Sequence, residues 1–461
     1  MSLTRLASLI GLLTFVGMLF LAIVFEEERT TFLDLSFHMF VQATTGKVAI
    51  QNYRFVSVIT QWIPTQLFNA EVNMKTVQLV YSLMFPLFYG AVWAFTHFVL
   101  KAKQWALAWA LMWLTFASHT HFWIQSELPQ GLAVFIVALG LISYQPDRKW
   151  MKVLAKAILA LSLLTVAFAH PLLLIPVTFC FGFLWLQKEH DKKLIKQVAS
   201  VYYFSFLLKS LVFRSPYDAS AGGGIKVGLM TLLELEIPYA APHFFENLAN
   251  TYYLFLVVTA LGIWLLWKSG QKQVAAWTLA ALGAQLAIVT LSYSTEVTPD
   301  FYRENLYLPA GFIGAVGFSF GVFNMKIQRV PVITSILLIT VLMFRMLHIS
   351  WIGDSVYAPR LLSLQALLDT HKETKVILKE TPLLRERLIL TWGTGYEAWV
   401  YSSRREKPTQ GFLVHEDPAE IQWAIDDPSL LILQFHHPKF SELPKKYFTQ
   451  PKESQKYRLI D

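Results

Sequence analysis

The sequence predicts an all-α, polytopic membrane protein of about eleven transmembrane helices, followed by a small soluble α/β or α+β domain. Three observations carry this. The chain has 461 residues, of which 55% are hydrophobic and only 15% charged, with a mean hydropathy of +0.44; soluble domains run nearer ~25% charged. Apolar runs approaching the ~20 residues that cross a hydrocarbon core recur through the first 350 positions. After Ser350 they give way to turn residues, charges and short β-like runs.

The apolar segments fall at 5–25, 76–100, 104–121, 128–145, 153–169, 171–187, 197–213, 251–268, 274–293, 306–323 and 330–349. The first runs into Glu26-Glu27-Glu28-Arg29 without a small-residue cleavage site, and so reads as a retained anchor. The pair at 153–187 meets at His170-Pro171 and fits either two short spans or a re-entrant hairpin. With the N-terminus cytoplasmic, the short inner connections hold 14 Lys and Arg residues, and the longer outer loops hold seven. This alternation supports the count of eleven. The outer loops are then 26–75, 214–250 and 294–305, and the segment 351–461 lies outside. Within 214–250, Gly222-Gly223-Gly224 precedes an acidic apolar stretch, 227–241, too short to span, which reads as an interfacial helix.

Residues 351–461 contain Lys375-Val376-Ile377-Leu378, Leu388-Ile389-Leu390 and Leu430-Leu431-Ile432-Leu433. About 110 residues suffice for a core of their own. The net charge of +8 does not point to nucleic acid, because many of the basic residues before Ser350 sit in short loops between spans. The single cysteine, Cys180, excludes an intramolecular disulfide and a multi-thiolate metal site. No Walker A sequence is present. Trp392-Gly393-Thr394-Gly395 lacks the third glycine of a dinucleotide site and reads as a turn.

Asp34 and His38 stand four apart in Phe32-Leu33-Asp34-Leu35-Ser36-Phe37-His38, on one helical face just after the first span. A carboxylate there could take a proton from an acceptor, or hold a divalent cation together with His38. The alternative is an interfacial helix whose polar face meets water. Glu127, with His119 and His121 shortly before it, could line a cavity, or be a first-turn helix residue favoured by the macrodipole. His170 could face that cavity or pack between spans. Arg54, Lys209, Arg214, Lys226 and Arg303 are cations near the expected outer surface. They suit a lipid phosphate, and snorkelling explains a cation such as Lys209 equally. Trp123, Trp150 and Trp351 fit an interfacial aromatic belt.

The order of a first span, an Asp-bearing outer helix ending near Gly46 and then Asn52-Tyr53-Arg54-Phe55 resembles the GT-C superfamily of integral-membrane glycosyltransferases. Protein mannosyltransferases and aminoarabinose transferases are among its branches. Phe301-Tyr302-Arg303-Glu304-Asn305-Leu306-Tyr307-Leu308-Pro309 is similar to the Arg-Tyr-Leu-x-Pro motif of a late span in these enzymes, with three residues between Arg303 and Tyr307. The Asp-Asp or Asp-Glu pair of several branches is absent, since Leu35 follows Asp34.

The resemblance implies an inverting transfer from a polyprenyl-phosphate sugar to an envelope glycan, lipid or protein acceptor at the outer face, in a bacterial inner membrane. Asp34 would be the catalytic base. His38, Arg54, Glu127, His170, Arg303 and Tyr307 would bind substrate, and a divalent cation could join Asp34 and His38. The rival classes are an O-antigen ligase or polymerase-like enzyme, a transporter or flippase, and an envelope-assembly scaffold. No span carries a carboxylate well inside it, which argues against an ion-coupled transporter.

Overall fold

The computed structural model describes residues 1–187, 190–234, 236–238, 240–292, 299–325, 330–371, 375–449 and 455–460. It is helical over most of its length, with one small sheet. In chain order the first helices are α1 (Leu3–Val24), α2 (Glu26–Thr30), α3 (Leu33–Thr45), α4 (Val58–Asn69), α5 (Met74–Ala94), α6 (Lys103–Thr115) and α7 (Glu127–Ser143). Then follow α8 (Lys149–Ala169), α9 (Leu174–Leu186), α10 (Lys192–Val212), α11 (Pro216–Leu233), α12 (Ala240–Asn250), α13 (Tyr253–Lys268), α14 (Lys272–Ser292), α15 (Asp300–Asn324) and α16 (Val332–Ile352). The last part holds α17 (Ala358–Thr370), β1 (Lys375–Lys379), α18 (Pro382–Leu388), α19 (Thr394–Arg404), β2 (Gly411–His415), α20 (Gln422–Ile425) and β3 (Arg458–Ile460).

Each of the eleven apolar segments contains a helix. Among the described residues, however, six helices are long and apolar enough to cross a membrane, or seven if α12 and α13, which meet at 88°, count as one broken span. The expected eleven is therefore not what the helices themselves support. Hydropathy along the chain borrows apolar residues from neighbouring turns. The segment 104–121 shows this: α6 stops at Thr115, and the aromatic residues beyond it form a buried turn. The first turns of α10 hold Lys192, Lys193 and Lys196, which dilute an otherwise apolar helix. The loop read over 294–305 is described only from residue 299, and Gly222 and Gly223 lie outside the residues whose side chains are described.

α15 is the central helix. It is buried on nearly every side, as an all-round apolar helix must be. Glycines let its neighbours approach closely: a Cβ on Gly262 of α13 would stand 2.5 Å from the backbone nitrogen of Phe318. Small residues at such crossings are the usual means of packing helices in lipid. α1 packs on α5, α6 and α16.

The chain after Ser350 does not begin with a break. α16 continues through a π-turn at Gly353–Tyr357 into α17, so one helix runs from Val332 to Thr370. Beyond it, β2, β1 and β3 form a three-stranded parallel sheet in that order, with Ile377 paired to Leu413 and to Leu459. Of the three β-like runs, only 375–378 is a strand. Leu388-Ile389-Leu390 closes α18, and Leu430 to Leu433 are buried with a single bridge from Leu430 to Lys439. The strands β2 and β3 were not among the expected runs, being short and flanked by charge. This segment is docked, not free: Tyr396, Trp399 and Phe448 belong to the same buried core as the helices before Ser350.

Candidate functional site at the loop end of the bundle

The start of α7, the ends of α8 and α10 and the start of α15 gather at one end of the helices, under the segment that carries α2 and α3. Asp34 is in the first turn of α3 and is partly exposed. Its Oδ2 accepts from Trp123 Nε1 at 2.7 Å. Trp123 packs its edge on Tyr302 at 4.6 Å and against Phe301 at 5.4 Å. The Tyr302 side chain interacts with both Asp34 and Trp392. Burial pushes the Asp34 carboxyl up to about 6, the nearby negative charge of Glu127 adds to this, and the Trp123 bond opposes it.

A ladder of ion pairs adjoins Asp34. Arg54 donates through Nη1 to Glu127 Oε2 at 3.1 Å and through Nη2 to Asp218 Oδ1 at 2.8 Å. Lys209 Nζ donates to Asp218 Oδ2 at 3.1 Å. Tyr217 lies under the Arg54 guanidinium, 5.5 Å from ring centre. Burial raises the Asp218 carboxyl, yet Arg54 and Lys209 outweigh it and hold the group below the usual carboxylate range. His170 sits beside these cations in the turn between α8 and α9. Burial, Arg54 and Lys209 together press its imidazole well below the ordinary value, so it is neutral, and its Nδ1 accepts from Leu172 N. Pro171, Lys209, Arg214 and Asp218 help line a cavity of about 140 Å³ next to it.

The structure therefore brings together Asp34, Arg54, Glu127, His170 and Lys209 from the residues singled out in the sequence. Glu127 is both things at once: a first-turn residue behind the Ser126 cap and the partner of Arg54. Others are placed elsewhere. His38 is buried, and its Nδ1 accepts from Gln61 Nε2 at 2.9 Å within a network that includes Gln42 and Tyr81. Burial lowers it to about 4, so it is neutral, and its Nδ1 bond is to Gln61 and not to Asp34. His119 meets Tyr357 at 3.2 Å and His121 meets Arg29 at 3.3 Å, so the two do not share a site with Glu127. Arg303 donates Nη2 to Asp300 Oδ1 at 2.6 Å, beside Asn247 of α12, and its Nε and Nη1 are buried without partners among the described residues. Tyr307, one turn on, packs on Phe244 at 4.6 Å. Arg214 and Lys226 are exposed.

Several residues of this end escaped sequence reasoning. Trp123 looked like an interfacial belt residue. Asp218 had a signal in Ser215-Pro216, the cap and first residue of α11. Glu304 is fully buried and accepts from the backbone of Ser118, His119 and Thr120 at 2.6, 3.0 and 2.7 Å, which fixes the turn that presents Trp123. Arg345 secures the same turn from α16 through Leu114 O, Ala117 O and the Ser118 hydroxyl. Long-range contacts of this kind leave no local pattern.

Among the described residues no three His, Cys, Asp or Glu side chains converge as a metal site. Asp34 is met by an indole and a phenol, which is not a cation's donor set, so the residues present do not fit the divalent cation considered for Asp34 and His38. No protein-family model matches the chain, and no curated protein matches it.

Proposed function

We propose that the chain is an integral-membrane glycosyltransferase of the GT-C type, moving a sugar from a polyprenyl-phosphate donor to an envelope acceptor at the outer face. The observation that carries this reading is the Asp34 carboxyl, raised to about 6, at the edge of a buried ion-pair ladder on the loop end. A carboxylate with that value is a competent base near neutral pH, because a catalytic base works best when its pKa is close to the operating pH.

In this reading Asp34 removes the proton of an acceptor hydroxyl as its oxygen attacks the anomeric carbon. The bond from that carbon to the phosphate oxygen breaks, and polyprenyl phosphate leaves with the electron pair, giving inversion. Lys209 and Arg214 at the cavity beside His170 meet the phosphate charge, since the cavity belongs to the same linked cluster as Asp34. Arg54 holds Glu127 and Asp218 in place. Arg303, set apart from this cluster and with Nε and Nη1 unpartnered among the described residues, is a third cation available to an anionic substrate. Trp123 and Tyr302 orient the base. The eleven-span arrangement, with the N-terminus cytoplasmic and the sheet outside, belongs to the same reading.

The test uses purified protein in lipid nanodiscs with a panel of radiolabelled polyprenyl-phosphate sugars and extracted envelope lipids. Wild type transfers label and Asp34→Asn, equally folded, does not. Transfer that survives in Asp34→Asn removes the base assignment. An absence of donor binding and turnover across the panel removes the enzyme reading in favour of a transporter or scaffold.

A further inference from the structure

Arg29 is the one member of the Glu26–Arg29 cluster that turns fully inward, at 2% exposure. Of the three glutamates before it, Glu26 pairs with Arg404 and Glu27 with Arg404 and Arg405, and none of the three, Glu28 included, acts on Arg29. Among the described residues no carboxylate pairs with Arg29. Its hydrogen-bond partner is His121, through Nη1 and Nε2 at 3.3 Å. A guanidinium keeps its proton and can only donate. His121 Nε2 therefore accepts, which places the imidazole hydrogen on Nδ1. Among the described residues that Nδ1 is buried without a partner, and so is Arg29 Nε.

Helix α5 adds groups of the same character. Tyr89 of α5 is 3% exposed, interacts electrostatically with Arg29, and has a buried hydroxyl with no partner. Trp113 stacks on Tyr89 with ring centres 4.6 Å apart, and its Nε1 is also buried and unpartnered. Among the described residues this place thus holds unpartnered N–H groups, one phenol hydroxyl and one positive charge, and no carboxylate acts on Arg29. A buried charge left unpaired costs several kcal/mol, and orphaned buried donors require an acceptor. Water would bring as many hydrogens as lone pairs. A small anion brings only acceptor capacity, and a single negative charge balances a single guanidinium.

We infer that Arg29 and Tyr89, with His121 Nε2 holding the guanidinium in place, bind a small inorganic monoanion of the halide class between α2 and α5. The site is separate from the Asp34 cluster and does not depend on the sugar-transfer reading.

The test uses the full chain in detergent with chloride exchanged for gluconate, bromide then being titrated in at constant ionic strength. The melting temperature rises and saturates with bromide, and crystals grown in bromide show an anomalous peak within hydrogen-bond distance of Arg29. Arg29→Gln loses the response. Tyr89→Phe, which keeps the ring and its stack on Trp113, raises the half-saturating bromide by about five- to tenfold, the worth of one hydrogen bond. The inference is overturned by equal melting temperatures in gluconate and bromide with no anomalous peak at Arg29. It is overturned equally by a response that sulfate reproduces, which marks a general salt effect, or by a bromide response unchanged in both variants.

Discussion

The carboxylate of Glu397 accepts the backbone N–H of Leu33 at 2.8 Å, across 364 residues of chain, and Leu33 immediately precedes Asp34. Arg360, ion-paired with Glu397, donates to Thr31 O at 2.8 Å and lies over the Phe32 ring at 4.8 Å. Three successive residues before Asp34 are thus gripped by one buried pair. Leu33 sits at φ 39°, a left-handed conformation that a leucine holds only when its surroundings impose it. Gly393 is needed for this contact, because a Cβ there would stand 3.0 Å from Leu33 Cα. The Gly-x-Gly turn of the sequence is a seat for the Asp34 segment.

Glu397→Ala leaves Arg360 as an unpaired buried charge and is expected to cost about 3–5 kcal/mol. Glu397→Gln keeps an oxygen for Leu33 and costs less. Hydrogen exchange of peptides covering 31–38 separates the two: the Ala variant loses protection at Leu33, and the Gln variant keeps most of it. Equal protection in both would mean that the backbone is held by something else.

The pH profile of sugar transfer is expected to rise through about pH 6 as Asp34 ionises. Glu127→Gln removes a negative charge that raises Asp34, and moves the acid limb to lower pH. Trp123→Phe removes the bond that opposes the rise, and moves the limb to higher pH. Measured kcat/KM against pH checks both signs, and limbs that stay in place would separate the profile from Asp34.

Asp34 and His38 titrate in overlapping windows with opposite consequences for stability. Asp34 binds its proton more tightly folded than unfolded, so its contribution declines as pH rises from about 4 to about 6. His38 is lowered to about 4, so its contribution is present above the unfolded value near 6.5 and is lost as pH falls through that window. At pH 7, Asp34→Asn is expected to stabilise the fold by roughly 1–3 kcal/mol while abolishing transfer. His38→Gln is expected to flatten the loss of stability on acidification. Thermal melts from pH 4 to 8 read both, and a destabilised Asp34→Asn at pH 7 would contradict the burial argument.

Arg54 joins two carboxylates, so its loss strands Glu127 and leaves Asp218 with Lys209 alone. Arg54→Ala is expected to cost about 3–5 kcal/mol. Combined with Asp218→Ala the costs are not additive, because the second change removes part of the strain left by the first. A double-mutant cycle on melting free energies measures this. An additive cycle would show that the Arg54–Asp218 pair contributes nothing beyond its separate parts.

Arg214→Ala is expected to raise KM for a polyprenyl-phosphate donor on the order of tenfold with little change in kcat, as loss of one charge-assisted contact does. Steady-state kinetics distinguishes this from a lowered kcat, which would place Arg214 at the reacting centre.

The membrane character was legible in the sequence, and Asp34, Arg54, Glu127 and Lys209 stood out singly, but not their pairing through Asp218. Apolar runs and short basic loops carry the first, and unusual charges near span ends carry the rest. Among the described residues fewer helices are long and apolar enough to cross than the sequence has apolar segments, because α6 and α9 are short helices extended in the sequence by apolar turns. Spacing put Asp34 and His38 on one face, but spacing cannot show that Gln61 draws His38 into the core. Glu304, Arg345, Glu397 and Arg360 act at sequence separations of hundreds of residues, where no periodicity exists to read.

The docking of the sheet-bearing segment on α3 also sets an order of events during biosynthesis. Phe37 and Phe40 rest on Tyr396 and Trp399, and Leu33 waits for Glu397. At ordinary rates of translation roughly 20–70 s separate the two partners. The first loop therefore emerges long before its final contacts exist, and meanwhile exposes aromatic side chains. Nascent chains arrested before Glu397 should carry an Asp34 segment that proteases cut readily, and completed chains should resist.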